Sequence, residues 1–178
     1  MKRFKFLFCL FVCSFILSMT TTVSASNYST GKAVIPAFYQ GPVDYCWFNV
    51  SNITDKRIDV TITFYKQDGT MLTDDGTATG GIITAGPQAI EQAIDYYDNN
   101  TDNTVTFSLN AHCSTNINLY FTGSNTAKYL GYGIISWEQD STALQGLVAH
   151  GRQHYLDTNT DPVRVARFAI PINGGLPF

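Results

Sequence analysis

The chain of 178 residues carries 14 acidic and 11 basic residues, a formal net charge of −3. This acidic balance excludes nucleic acid as an expected partner, because phosphate binding requires a basic surface. Aspartate outnumbers glutamate 12 to 2, and asparagine, threonine and glycine are plentiful. Since these residues favour turns and strands over helices, the composition predicts an all-β protein.

Residues 1–25 form the first predicted element, an export signal. A basic head at residues 2–5 precedes the apolar run Phe6–Met19, which is shorter than the roughly 20 residues of a membrane span. Val23-Ser24-Ala25 has the small-x-small pattern that signal peptidase reads, which predicts cleavage after Ala25. Cleavage removes three basic residues and no acidic one, leaving 8 against 14, a net charge of −6. No later segment is apolar enough to cross a membrane, so we expect a secreted protein in which residues 26–178 form one domain.

Period-two alternation of apolar and polar residues predicts strands along the rest of the chain. The clearest case is Ile58–Phe64, and Asp68-Gly69 soon after it predicts a tight turn. Further strands are predicted at 33–39, 45–52, 81–85, 89–94, 104–113, 115–123, 129–138, 143–155 and 163–172. The segment PQAIEQAIDYY, residues 87–97, is also the best helical candidate. About nine short strands with turn signals between them indicate a single-domain β-sandwich, either Ig-like or jelly-roll.

Cys46 and Cys113 are the two cysteines outside the export signal. Both fall on the apolar phase of predicted strands, so both side chains are expected in the core. An even pair of cysteines in an oxidising compartment predicts one disulfide between strands, with two buried free thiols as the alternative. In the chain-entropy model such a bridge is worth roughly 4 kcal/mol.

His150 and His154 have the H-x-x-x-H spacing that binds zinc on a helix. Gly151 stands where the zinc enzymes have glutamate, and the segment alternates as a strand, on which four residues cover about 13 Å. We therefore predict that both histidines lie solvated on one face of one strand, too far apart to share a metal.

Asp157, Asn159 and Asp161 match the first three ligands of a calcium-binding loop. Pro162 and Phe168 occupy the positions where that loop needs a glycine and a bidentate glutamate. These three residues are therefore weak calcium candidates, and the favoured prediction is a hairpin turn between two strands. No metal site is assigned.

Catalytic and cofactor motifs are absent from the sequence, which contains no G-x-S-x-G, phosphate-binding loop or C-x-x-C. No cofactor is therefore expected. Glu138 is one of only two glutamates, and a carbohydrate-active hydrolase would need it beside an aspartate such as Asp140 or Asp44. This enzyme is the alternative to a non-catalytic protein.

Exposed aromatic residues are the expected contact residues of a non-catalytic binding protein, because they give contact area at low entropic cost. Trp47 lies on the opposite phase to Cys46, and Trp137 on the opposite phase to Ile134, so both tryptophans are predicted to face outward. Packing of each tryptophan in the core is the alternative. A carbohydrate or another extracellular protein is the expected partner.

Several segments resemble a group of uncharacterised bacterial exported proteins with Ig-like sandwiches. The first is WFNVSNITDKRIDVTITFYKQDGT, residues 47–70, and the others are GYGIISWEQ, LQGLVAH and ARFAIPINGGLPF. The resemblance implies a secreted sandwich. The interpretation favoured by the sequence as a whole is a non-catalytic domain with a binding or cell-surface structural role. It implies no catalytic residue.

Overall fold

The computed structural model describes residues 27–41, 44–73, 83–85, 94–97, 102–119, 128–157 and 164–178. The predicted export signal therefore lies outside the described residues. Within these ranges there are ten strands and one 3₁₀ turn, and no helix is long and apolar enough to cross a membrane. The strands are β1 (Tyr28–Gln40), β2 (Tyr45–Asn52), β3 (Ile58–Lys66), β4 (Ile83–Ala85), β5 (Ile94–Tyr97), β6 (Val105–Leu109), β7 (Ser114–Leu119), β8 (Tyr129–Asp140), β9 (Leu147–Asp157) and β10 (Arg164–Pro171).

These strands form two five-stranded sheets. Sheet I has the order β1-β8-β3-β6-β5, and sheet II has the order β10-β9-β2-β7-β4. Every strand pair is antiparallel. The all-β prediction is confirmed, with ten described strands against the expected nine or so. Residues 94–97 form a strand, so the helical alternative is wrong at these positions.

The two sheets share one apolar core. Buried and less buried residues alternate strictly along β2 and through most of β3, as the period-two pattern predicted. Phe48 of sheet II lies 5.5 Å from Phe64 of sheet I, measured between ring centroids. Both rings are fully buried, and burying a side chain of this size stabilises a fold by roughly 1.5–3 kcal/mol. Two facing sheets around a common core fit the predicted β-sandwich.

The predicted turn after β3 is confirmed. Gly69 has a φ of 81°, which glycine adopts without steric cost, and the Lys66 N–H donates to the Thr70 carbonyl at 2.8 Å. The Asp68 carboxylate accepts hydrogen bonds from the Thr70 hydroxyl and N–H. These bonds favour the ionised form and lower the pKa of Asp68.

The predicted disulfide between Cys46 and Cys113 is wrong, because both cysteines are free. Strand β6 ends at Leu109 instead of continuing to Cys113, and His112 has a φ of 56° in the turn that follows. This turn places Cys113 beside Asn52, whose N–H donates to the Cys113 carbonyl at 2.9 Å. Asn52 is six positions along β2 from Cys46, about 20 Å on a strand, whereas a disulfide needs Cα atoms within about 7 Å.

The hairpin predicted around residues 157–162 is confirmed in its two strands. Asp157 at the end of β9 pairs with Arg164 at the start of β10, and the register continues to His150 and Pro171. The connecting residues 158–163 lie outside the described part of the chain. Consequently Asn159 and Asp161 lie outside it as well, and only the backbone of Asp157 is described.

Candidate functional site

The outward side chains of sheet II form a flat surface, called here the sheet II face. Antiparallel partners share a face of a sheet, so the strand register aligns these residues in rows. Across β10, β9, β2 and β7 the rows are Arg167–His154–Tyr45, Ala169–Arg152–Trp47–Asn118, Pro171–His150–Asn49–Asn116 and Val148–Ser51–Ser114.

Trp47 stands near the centre of this face, as its strand phase predicted. The guanidinium carbon of Arg152 lies 3.8 Å from a Trp47 ring centroid, a cation–π contact that holds both side chains in place. Tyr45 lies 5.5 Å and His154 lies 5.1 Å from Trp47, both measured between ring centroids. Trp47 is half-buried by these neighbours.

His154 stacks on Tyr45, with ring centroids 4.5 Å apart and an interplanar angle of 17°. The residue is only 3% exposed, so the prediction that it is solvated is wrong. Burial, followed by the positive charges of Arg152 and Arg167, lowers the pKa of His154. The physical reason for the burial is the crowding of this row by large side chains on both neighbouring strands.

His150 lies on the same face of β9, as predicted, and is exposed. Its Nε2 is hydrogen-bonded to the Asn49 amide nitrogen at 3.0 Å. His150 and His154 pair with Asn49 and Tyr45, which are themselves four residues apart on β2, so the strand is extended throughout. In the ranges that the structure describes, no three His, Cys, Asp or Glu side chains come together as metal ligands.

A shallow polar hollow of about 400 Å³ adjoins Trp47 on the same face. It is lined by six polar residues, Asn49, Ser51, Ser114, Thr115, Asn116 and His150, although the hydroxyl of Thr115 is buried on the inward side of β7. The hydroxyl oxygens of Ser51 and Ser114 lie 2.7 Å apart in a hydrogen bond across β2 and β7. These groups can donate to, and accept from, a ligand rich in hydroxyl groups.

Four buried polar atoms on the sheet II face have no hydrogen-bond partner: Asn116 Oδ1, Asn118 Oδ1, Arg152 Nε and His154 Nε2. Buried polar groups in native proteins are nearly always paired, and an unpaired group costs about 1–3 kcal/mol. The sequence could not predict that four unpaired polar atoms lie on one face, because their positions depend on which strands are neighbours.

The structure places Trp137 on the inward side of β8, where it is 3% exposed and its Nε1 donates to the Phe178 carbonyl at 2.8 Å. The expectation that this residue faces outward is therefore wrong. Ile134 and Ile135 are both apolar, so the local pattern did not define the phase of the strand. Trp137 shares the buried phase of Ile135 and offers no surface to a ligand.

The opposite surface, the outward side of sheet I, carries the carboxylates considered for hydrolysis. Glu138, Asp140 and Asp59 line an open groove of about 500 Å³ with Tyr28. A hydrogen bond with Glu138, followed by slight desolvation and the nearby negative charges, raises the pKa of Tyr28. Asp59 had not been singled out from sequence, and it pairs directly with Glu138 across β3 and β8.

Asp44, the other aspartate considered as a partner of Glu138, lies away from this groove. It is 6% exposed and precedes β2, and its carboxylate accepts a hydrogen bond from the Leu156 N–H at 3.3 Å. This contact ties Asp44 to sheet II. The pairing of Asp44 with Glu138 is therefore wrong.

Comparisons with known proteins give no assignment. No family model and no curated protein matches the chain. A solved structure titled Thermotoga maritima 1070 covers 78% of this chain and 90% of its own, with 12% identity and a TM-score of 0.44. The major pilin subunit BcpA of Bacillus cereus is 12% identical over 80% of this chain and 39% of its own, with a TM-score of 0.25. Similarity at this level carries no argument about fold or function.

Proposed function

We propose that the protein is a secreted, non-catalytic β-sandwich module that binds carbohydrate on the sheet II face. The observation that carries the proposal is Trp47, fixed by Arg152 and partly accessible, beside a hollow walled by amides and hydroxyls. A sugar ring presents apolar C–H groups on its faces and hydroxyl groups around its edge. An aromatic ring next to convergent polar groups complements both features.

Secretion in this proposal rests on the predicted export signal at residues 1–25. We also propose that the sandwich is Ig-like, because residues 47–70 and the later segments resemble exported proteins with Ig-like sandwiches. A binding role on a cell surface or in the medium agrees with the acidic net charge of residues 26–178, which favours solubility.

The test is a titration of the purified protein with a panel of soluble polysaccharides, followed by calorimetry. Trp47→Ala is expected to weaken binding by at least about tenfold, because an aromatic contact residue is worth 1.4 kcal/mol or more. Tyr132→Ala is the matched control, since Tyr132 is an aromatic residue 42% exposed on the other sheet. We expect this control to bind as the unmodified protein does.

The melting temperature of each variant shows whether it is folded. Binding that survives Trp47→Ala unchanged would contradict the proposal, and so would the absence of binding to every polysaccharide. Equal losses in the Trp47 and Tyr132 variants would also contradict it, because the loss would then not belong to the sheet II face.

A second candidate function is carbohydrate hydrolysis in the sheet I groove. The observation that favours it is the convergence of Glu138, Asp59 and Asp140 on one groove, since glycosidases act through paired carboxyl groups. Release of reducing sugar from the same panel, lost in Glu138→Gln, would support this function. We expect no release of reducing sugar, because the groove is too open to solvent to enclose a sugar chain.

A further inference from the structure

We propose that the ligand of the sheet II face is anionic, a sugar chain that carries a carboxylate or a sulfate ester beside Trp47. Arg152, Arg167 and His154 are the residues that would contact the anionic group. This inference rests on the proposed function and names the ligand class of the same surface.

Three nitrogen-rich side chains lie together at one end of the face. Arg167 pairs with His154 across β10 and β9, and Arg152 lies two residues from His154 on the same side of β9. Neighbours of this kind lie about 5–7 Å apart at their Cα atoms, so their heads can converge on one small group. Arginine is suited to this role because its planar fork matches the oxygens of a carboxylate or a sulfate.

No carboxylate in the described part of the chain neutralises these side chains. Among the described residues, no carboxylate forms an ion pair with Arg152, Arg167 or His154. Residues 26–178 carry 8 basic and 14 acidic residues, so a cluster of basic side chains that no described carboxylate neutralises is unexpected on this chain. A local positive potential on an acidic protein attracts anionic ligands in particular.

Two buried polar atoms of these side chains lack a hydrogen-bond partner. Arg152 Nε and His154 Nε2 are buried without a partner, so the oxygens of an anion would satisfy both once the side chains around them have moved aside. The Trp47 ring covers one face of the Arg152 guanidinium and leaves its edge for such contacts. Asn116 Oδ1 and Asn118 Oδ1, further along the face, are likewise buried and unpaired.

A polyhydroxylated ligand fits this surface better than an acidic protein does. A protein interface is centred on well-packed apolar and aromatic anchors in pockets. The hollow next to Trp47 has walls of amides, hydroxyls and imidazole instead. The ligand that complements both the cationic cluster and the polar hollow is an acidic polysaccharide.

The titration of His154 gives a second readout. The groups that face its imidazole are Tyr45 from β2, Arg152 from β9 itself and Arg167 from β10. The two arginines disfavour protonation of the imidazole, and a bound anion offsets their charge. Binding is therefore expected to tighten when the pH falls from about 7.5 to about 5.5, across the ordinary range of histidine.

The test compares polysaccharides that differ only in charge. Polygalacturonate is paired with its methyl ester, which removes the carboxylate charge, and dextran sulfate is paired with dextran. We expect binding to at least one charged member and at least about tenfold weaker binding to its uncharged partner, with affinity falling as salt rises from about 0.05 to 0.5 M. The charged member that binds tells a carboxylate from a sulfate ester.

Single-residue variants test whether the cluster of Arg152, Arg167 and His154 causes the preference for charged polysaccharides. Arg167→Gln, at an exposed edge-strand position, is expected to weaken binding to the charged member by about tenfold. Lys32→Gln, which removes a cation exposed on sheet I, is the matched control and should bind normally. His154→Gln should abolish the tightening at low pH.

The outcomes separate the two proposals. Equal, Trp47-dependent binding to the charged and uncharged members would overturn the anionic ligand and leave the carbohydrate function standing. Binding of a charged member that is equally weakened by Lys32→Gln would overturn the inference, because it would reflect general attraction. Binding to none of the polysaccharides would overturn both proposals.

Discussion

At position 154 a histidine lies under a tyrosine ring, with two arginines nearby and no carboxylate facing it among the described residues. The neutral form of the imidazole has the lower free energy in these surroundings. Once protonated, it would combine a buried charge with like charges on Arg152 and Arg167. The same residue is thus a source of instability in acid and a point of attraction for an anion.

The free energy of unfolding should therefore depend on pH through His154. The native pKa lies below the unfolded value of about 6.5, so the unfolded chain binds the proton first as the pH falls. The contribution of neutral His154 is complete above pH 6.5 and is lost as the pH falls through the native pKa. Urea unfolding at about pH 7.5 and pH 5 should show a larger loss for the unmodified protein than for His154→Gln. Equal losses in the two proteins would show that His154 titrates normally.

The strand β6 and the turn after it show where prediction from sequence ends. Alternation along β2 and β3 was predictable, because a strand with one buried face repeats every two residues. The end of β6 was not, because Asn110, Ala111 and His112 continue the alternation that precedes them although the chain turns there. Because β6 ends at Leu109 instead of continuing to Cys113, Cys113 lies beside the far end of β2 and not in the core.

The candidate site was predictable only in part, for a similar reason. The phase of Trp47 and the shared strand face of His150 and His154 follow from local pattern. The pairing of Trp47 with Arg152, and of Glu138 with Asp59, depends on strand neighbours that are far apart in sequence. No local pattern reports such neighbours, so the cationic cluster and the groove emerged only with the structure.

The two cysteines should differ strongly in reactivity. Burial raises the pKa of Cys46 to about 12, while its thiol donates to the Gln153 side-chain carbonyl at 2.6 Å. At pH 8 only about one molecule in ten thousand carries the Cys46 thiolate, which is the reactive form. Iodoacetamide should therefore modify half-buried Cys113 in the native protein and Cys46 only after unfolding, as peptide mass spectrometry can measure. If neither cysteine reacted in the unfolded, unreduced protein, the two would have to be joined in a disulfide, which would contradict this prediction.

At the scale of the whole molecule, the shared core predicts that both sheets unfold together. Trp47 lies on sheet II and Trp137 on sheet I, so each reports on one sheet. Trp47→Phe leaves Trp137 as the single tryptophan, and Trp137→Phe leaves Trp47. In each variant the midpoint of urea unfolding by fluorescence should equal the midpoint by circular dichroism, as two-state unfolding requires. Different midpoints within one variant would show that the sheets unfold separately.

The order of strands in the two sheets has a consequence for the newly made chain. Tyr28 at the start of β1 pairs with Asp140, and Tyr45 at the start of β2 pairs with His154. While the chain is being synthesised, β1 lacks its one partner among the described strands until β8 has emerged, and β2 lacks one of its two described partners until β9 has emerged. Such long-range pairing makes folding slow, because distant segments must meet before any stabilising contact between them forms. A chain that cannot complete its sheets until nearly all of it has been made stays unfolded for longer during its synthesis.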